Sequence, residues 1–191
     1  MATEITELEA RPTAIDGLIL LTMKQAADER GTVREFYRES AIGGAGLTPL
    51  GPWRQVNVTH TRRGGVRGMH AEAMTKLVAV VAGEAFAAYV DFRSHSGTFG
   101  KVVTTTLAPG LQVLVPKGVG NGFQATSEGG CQYLYCFDAE WQPVMAGVAC
   151  TPLDPALGIE WPLPIDPDDP AQLSAKDRGA PLFSELEGTA R

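Results

Sequence analysis

Residues 76–123 read KLVAVVAGEAFAAYVDFRSHSGTFGKVVTTTLAPGLQVLVPKGVGNGF. Runs rich in β-branched and aromatic residues are cut at short intervals by glycine and proline, as in HSGTFG (95–100) and APG (108–110). Runs of about four to eight such residues bounded by turn formers read as strands. The stretch predicts strands over 76–82, 85–92, 101–107, 112–115 and 122–126. The same texture extends outward to 18–23 and 55–61 on one side and 132–137 on the other, with turns at RRGG (62–65) and SEGG (127–130). Strands this short and evenly spaced, with no helical period between them, predict an all-β sandwich or barrel. Only 23–27 and 32–38 have a helical flavour.

The 191 residues suit a single domain over 1–191, with a barrel core over about 15–150 and a C-terminal extension over 151–191. A chain of this length buries roughly 70% of its unfolded surface, so it needs no disulfide or metal to hold a core. With 44% hydrophobic and 20% charged residues, wholesale disorder is excluded. The tail WPLPIDPDDPAQLSAKDRGAP (161–181) is rich in Pro and Asp. It should be irregular, with one helical turn near Ser174. Leu157, Ile159, Trp161, Leu173 and Leu182 are the apolar anchors expected to pack it over the barrel.

Net charge is −6, which on average repels nucleic acid and anionic membranes. The distribution is uneven. Residues 51–153 carry eight bases against six acids, whereas 154–191 carry three against eight. No window holds 18 consecutive apolar residues, so no membrane span is expected. The opening MATEITELEARPT is acidic where a secretory signal would be basic and then apolar. Cys131, Cys136 and Cys150 form no CxxC pair, and an odd count suggests reduced, buried thiols in a cytoplasmic protein.

The histidines are His60, His70 and His95. His70 sits in GGVRGMHAEAMTKLV (64–78), past a glycine turn and shortly before a strand; a later segment reads LVPKGVGNGFQ (114–124). A G…H segment followed by P-x-G-x-x-H is typical of the jelly-roll barrels called cupins. Metal-binding cupins draw two His and a Glu from the first motif and a His from the second. Here the first supplies His70 and Glu72, and Asn121 stands in the second. A transition metal usually needs three protein ligands, so a metal oxygenase is the weakest reading and no metal is expected. His60 and His95 read as structural or surface residues, and Arg62 and Arg63 as a solvated basic turn.

The chain resembles the dTDP-4-dehydrorhamnose 3,5-epimerase family over roughly 18–183. The matching pieces run in family order: DERG (28–31) with Glu35 following, RQVNVTHT (54–61), GGVRGMH (64–70), KLVAVVAGEAFAAYVDFRSHSGTFG (76–100), LVPKGVGNGF (114–123), QYLYCF with W-x-P (132–143), DPALGIEWP (154–162) and LSAKD (173–177). The resemblance implies an all-β, cupin-type jelly-roll β-sandwich or barrel. A short N-terminal strand region precedes it, the Pro/Asp-rich tail packs on it, and the chain forms a homodimer. It implies a substrate that is a dTDP-4-keto-6-deoxyhexose, epimerised at C3 and/or C5 without a cofactor. Both protons are α to the C4 ketone, so a base on one face, an acid on the other and a positive charge at the ketone oxygen suffice.

By the same resemblance His70 is the base, since an imidazole titrates at about 6.5 and suits proton abstraction near neutral pH. Asp177 orients it. Tyr135 is the acid on the opposite face, and Lys76 faces the C4 oxygen. Arg30, Gln55, Asn57 and Arg67 bind the nucleotide and its diphosphate, with Arg30 expected from a partner chain. Glu35 is either a surface residue or a contact to the base. Tyr133 and Tyr135 are expected to point to opposite faces of their strand, one of them into the core; the spacing to W-x-P selects Tyr135 for the site.

Departures from the family cluster near this site. Asn121 replaces a histidine, Trp141 replaces a tyrosine, and Ala87 stands where many members have Asp. The loop from His70 to Lys76 is short. Asn cannot carry a proton through a cycle at neutral pH, and indole is a donor only. These changes leave room for an enzyme that acts at one carbon, and for a non-catalytic nucleotide-sugar-binding protein that has lost turnover.

Overall fold

The computed structural model describes residues 3–47 and 50–187. In chain order its strands are β1 (Glu4–Thr6), β2 (Glu9–Pro12), β3 (Ile19–Thr22), β4 (Lys24–Asp28), β5 (Gly31–Glu35), β6 (Gln55–Thr61), β7 (Val66–Glu72), β8 (Lys76–Ala82), β9 (Ala85–Asp91), β10 (Val102–Leu107), β11 (Leu111–Val115), β12 (Val119–Ala125), β13 (Cys131–Phe137) and β14 (Gly147–Ala149). The helices are short: α1 (Glu39–Gly44), α2 (Ala175–Arg178) and α3 (Phe183–Glu187). None is long and apolar enough to cross a membrane.

A five-stranded sheet in the order β10-β9-β12-β7-β14 faces a six-stranded sheet in the order β2-β3-β11-β8-β13-β6. All pairings within them are antiparallel. The fold is the all-β jelly-roll sandwich. Between the sheets, Val78 and Val80 of β8, Val113 of β11 and Tyr133 of β13 meet Ala87 and Tyr89 of β9 and Phe123 of β12. Tyr133 stacks on Phe123 with ring centroids 4.1 Å apart. Fully burying a side chain of this kind contributes roughly 1.5–3 kcal/mol. The outer face of β8 is also covered, since Leu77 packs with Leu21, Cys136 and Ile42 of α1. Burial on both faces explains why KLVAVVA is almost continuously apolar instead of alternating.

The tail covers the outside of the five-stranded sheet. Leu157, Ile159 and Trp161 pack against Met69, Ala71, Ala88 and Val90. Leu173 is buried and bridges to Val66 of β7. Leu182 was expected among these anchors but is 43% exposed. Phe183 takes its place, its ring centred 5.9 Å from that of Phe92 and 5.3 Å from that of Phe99. The helical turn expected near Ser174 is α2, with Ser174 as its N-cap.

Strands expected at 55–61 and 76–82 coincide with β6 and β8, and those expected at 18–23, 85–92, 101–107, 112–115, 122–126 and 132–137 overlap β3 and β9 to β13. The helical flavour at 23–27 and 32–38 is overturned. These residues supply β4 and β5, a hairpin that joins β1 in a separate three-stranded sheet. The turn at Asp28–Gly31 decides this, because the Arg30 N–H donates to Asp28 Oδ1 at 2.8 Å and Gly31 takes φ +131°. Cross-strand pairing then overrides weak local propensity. All three cysteines are free and buried.

Candidate active site

A cavity of about 700 Å³ opens between the two large sheets and is lined from both. β7 supplies His70. It comes close to β12 because Gly68 leaves room for it: a Cβ there would lie 2.4 Å from Gly122 Cα, and its φ is +130°. Asn121 of β12 therefore stands directly opposite His70.

His70 Nε2 lies 2.7 Å from Asp177 Oδ1. A carboxylate only accepts, so the neutral imidazole carries its proton on Nε2 and keeps the Nδ1 lone pair. Asp177 is buried in α2, and its own N–H donates to Ser174 Oγ at 3.0 Å. Burial pushes the Asp177 carboxyl up, but the hydrogen bond and charge of His70, with Ser174, outweigh it and hold the group below the usual carboxylate range. The tail segment is tied to β7 by the Val66 N–H donating to Gln172 O at 2.7 Å.

Lys76 heads β8, on the opposite sheet. Its side chain is 3% exposed, and its ammonium donates to His70 O at 3.1 Å, to Asn121 Oδ1 at 3.2 Å and to the Glu72 carboxylate. Burial pulls Lys76 below its ordinary range, while the charge and hydrogen bond of Glu72 act in the other direction.

Tyr135 of β13 faces the same cavity, with its ring centroid 4.8 Å from that of Tyr133. The expectation that these two tyrosines face opposite ways is wrong: residues two apart on a strand share a face. Tyr133 is fully buried in the core between the sheets, and Tyr135, half-buried, lines the cavity. Burial raises the Tyr135 phenol well above its ordinary range.

Gln55 and Asn57 of β6 line the mouth, joined by a hydrogen bond of 3.2 Å. Gln55 Oε1 also accepts the Trp141 backbone N–H at 2.8 Å, which ties that residue to the rim. Arg67 donates to Thr61 Oγ1 at 2.9 Å. The structure thus brings together His70, Lys76, Tyr135, Asp177, Gln55, Asn57, Arg67, Asn121 and Trp141. Arg30 and Glu35 lie on the separate three-stranded sheet and do not reach this chain's own cavity. Arg30 pairs with Asp28 and Glu35 with Arg38. Ala87 is core, opposite Phe123 on β12.

Sequence reasoning placed His60 and Arg62 outside the site, yet both line the cavity, as do Gln172 and Lys176 of the tail. For His60 and Arg62 the available signal was their position at the end of the strand that carries Gln55 and Asn57. No local signal marks Gln172 and Lys176, because tertiary docking of an irregular tail puts them there. A transition metal does not fit this donor set. His70 is committed to Asp177 and Glu72 to Lys76, and Asn121 offers only an amide.

The family model described as dTDP-4-dehydrorhamnose 3,5-epimerase matches residues 12–185. The chain belongs to the dTDP-4-dehydrorhamnose 3,5-epimerase family. It is 34% identical over 182 residues to the dTDP-4-dehydrorhamnose 3,5-epimerase of Salmonella typhimurium, covering 91% of this chain and 94% of that one. It is 32% identical over 185 residues to the dTDP-4-dehydrorhamnose 3-epimerase of Streptomyces niveus, covering 93% and 85%. Among solved structures it is similar to NovW, a 4-keto-6-deoxy sugar epimerase from the novobiocin cluster of Streptomyces spheroides, with TM-score 0.86, 29% identity and coverage of 99% and 94%. The dTDP-4-dehydrorhamnose 3,5-epimerase family is one of isomerases, with members named for two carbons and for one.

Proposed function

We propose that the chain is an epimerase that inverts C3, C5 or both of a dTDP-4-keto-6-deoxyhexose through an enolate at the C4 ketone. One observation carries this reading. An imidazole oriented by a buried carboxylate on one sheet shares a cavity with a tyrosine on the other and with a buried ammonium that donates to the histidine's own carbonyl.

In this reading His70 removes the α-proton, and the imidazolium that forms is stabilised by Asp177. Tyr135 returns a proton from the opposite wall, which inverts the carbon. Its raised phenol range keeps it protonated and able to donate at neutral pH. Lys76 meets the developing oxyanion; a ketone oxygen arriving there replaces one of the three acceptors now on its ammonium. Gln55, Asn57, Arg67 and Trp141 hold the nucleotide end. The local excess of bases in the middle of the sequence suits a diphosphate despite the net charge of −6.

The same reading takes the chain as a single-domain homodimer in a reducing cytoplasm. Val56 and Val58, exposed at 57% and 55% on edge strand β6, support the dimer, and three free buried thiols fit the compartment. In a dimer, Arg30 would have a partner's cavity to reach.

The deciding experiment is proton NMR in D₂O with purified protein and dTDP-4-keto-6-deoxyglucose. Deuterium uptake at C3, at C5 or at both is expected, and its pattern assigns the carbon. Tight dTDP binding with no uptake at either position would sink the enzymatic reading.

A further inference from the structure

The cavity contains a charged pair, Glu72 and Lys76, of which the reading above uses only the lysine. Glu72 closes β7 and Lys76 opens β8, with only three residues between them. The Met74 N–H donates to Glu72 O at 2.7 Å and closes this turn tightly. The shortness of the loop after His70, noted in the sequence, is what sets the two side chains against each other.

Lys76 has three acceptors, and two of them are neutral: the His70 carbonyl and the Asn121 amide oxygen. Among the described residues, Glu72 alone pairs with this ammonium as an opposite charge. An ammonium buried this deeply without a counter-charge gives up its proton instead of staying ionised. The uncharged amine would be useless to an enolate.

We propose that Glu72 is a positioning residue: its carboxylate keeps the buried Lys76 in the ammonium form and holds that charge at the cavity floor. The role in turnover rests on the epimerase reading above. The surrounding groups do not replace Glu72. His70 and Arg67 on β7 are neutral or positive when they act. Tyr135 on β13 is protonated. Asp177 on α2 is turned to His70, and Asp138, following β13, accepts the Thr75 N–H at 2.9 Å. β12 contributes the neutral Asn121, and β11 sets Val115 beside Lys76. The directions of titration agree. Burial pushes the Glu72 carboxyl up, but the Lys76 charge and hydrogen bond outweigh it and hold the group below its ordinary range.

The test labels lysine Cε with ¹³C and follows its NMR signal against pH in the ligand-free protein. The chain has five lysines, and Lys76→Met assigns the relevant signal. Glu72→Gln keeps an acceptor and removes the charge. It should lower the Lys76 midpoint by at least about one pH unit. An unchanged midpoint overturns the proposal. Should Glu72→Gln fail to fold, the wild type still decides: its Lys76 signal should show a second inflection in the acid range as Glu72 titrates, and a signal without that inflection overturns the proposal. In turnover, Glu72→Gln should move the alkaline limb of kcat down with the lysine midpoint while KM stays within about twofold. A wild type without deuterium exchange defeats the epimerase reading, and the lysine midpoint then judges the ion pair by itself.

Discussion

His70 Nε2 and Asp177 Oδ1 meet at 2.7 Å although 107 residues separate them in the chain. The histidine belongs to the sandwich and the carboxylate to the tail. The tail therefore lines the cavity, and its docking on β7 through Val66, Gln172 and Leu173 sets the orientation of the imidazole.

Asp177→Asn keeps the shape of the side chain but removes the charge that steadies an imidazolium. It also permits the wrong imidazole tautomer, because an amide can donate as well as accept. The deuterium-exchange rate should fall on the order of 10²–10⁴-fold while KM changes by less than about threefold. A loss confined to KM would place Asp177 in ground-state binding instead.

The same contact makes stability depend on acid. Asp177 is held below its unfolded value of about 3.9, so its contribution is fully present above that pH and is lost as pH falls through the folded value. Thermal melts of wild type and Asp177→Asn should differ above about pH 4 and converge as the pH falls further into the acid range. A gap that is constant across this range would mean that the carboxylate charge does not contribute.

Tyr135 and His70 come from facing sheets, so removing the phenol should separate two events that normally run together. In Tyr135→Phe the base can still remove the α-proton and return one to the same face. Exchange of deuterium with retention should persist, while inversion slows by about 100-fold or more. NMR resolves the two products. Equal loss of both would assign Tyr135 to binding.

The strands were legible where burial is simple. β6 and β8 coincide with their apolar runs, and HSGTFG and APG mark real turns. β4 and β5 were not legible, because their sheet stands apart from the core and carries few apolar residues, so only the hairpin pairing defines them. β7 was missed as a strand for a related reason. Its glycine, Gly68, interrupts the run of side chains and serves a close approach to Gly122. The residues gathered around His70 were legible through a motif resemblance; spacing and periodicity could not have paired His70 with Asp177. The tyrosine error was geometric: two residues apart means one face, so Tyr133 packs in the core beside Tyr135.

Ser174 offers a test of whether the tail's local structure serves the site. Its hydroxyl accepts the Asp177 N–H at 3.0 Å and caps α2, a helix of four residues with little stability of its own. Ser174→Ala leaves that N–H without its cap and costs about 1 kcal/mol, equivalent to a fall in Tm of roughly 2–4 °C for a chain of this size. Because the capped residue is also the one that orients His70, the loss should reach kcat. The reduction should be smaller than in Asp177→Asn and leave KM unchanged. Ser174→Thr, which restores an acceptor at the cap, should recover most of both. If Ser174→Ala lowers Tm without touching kcat, Asp177 is held by its contact with His70 alone and the cap is only structural.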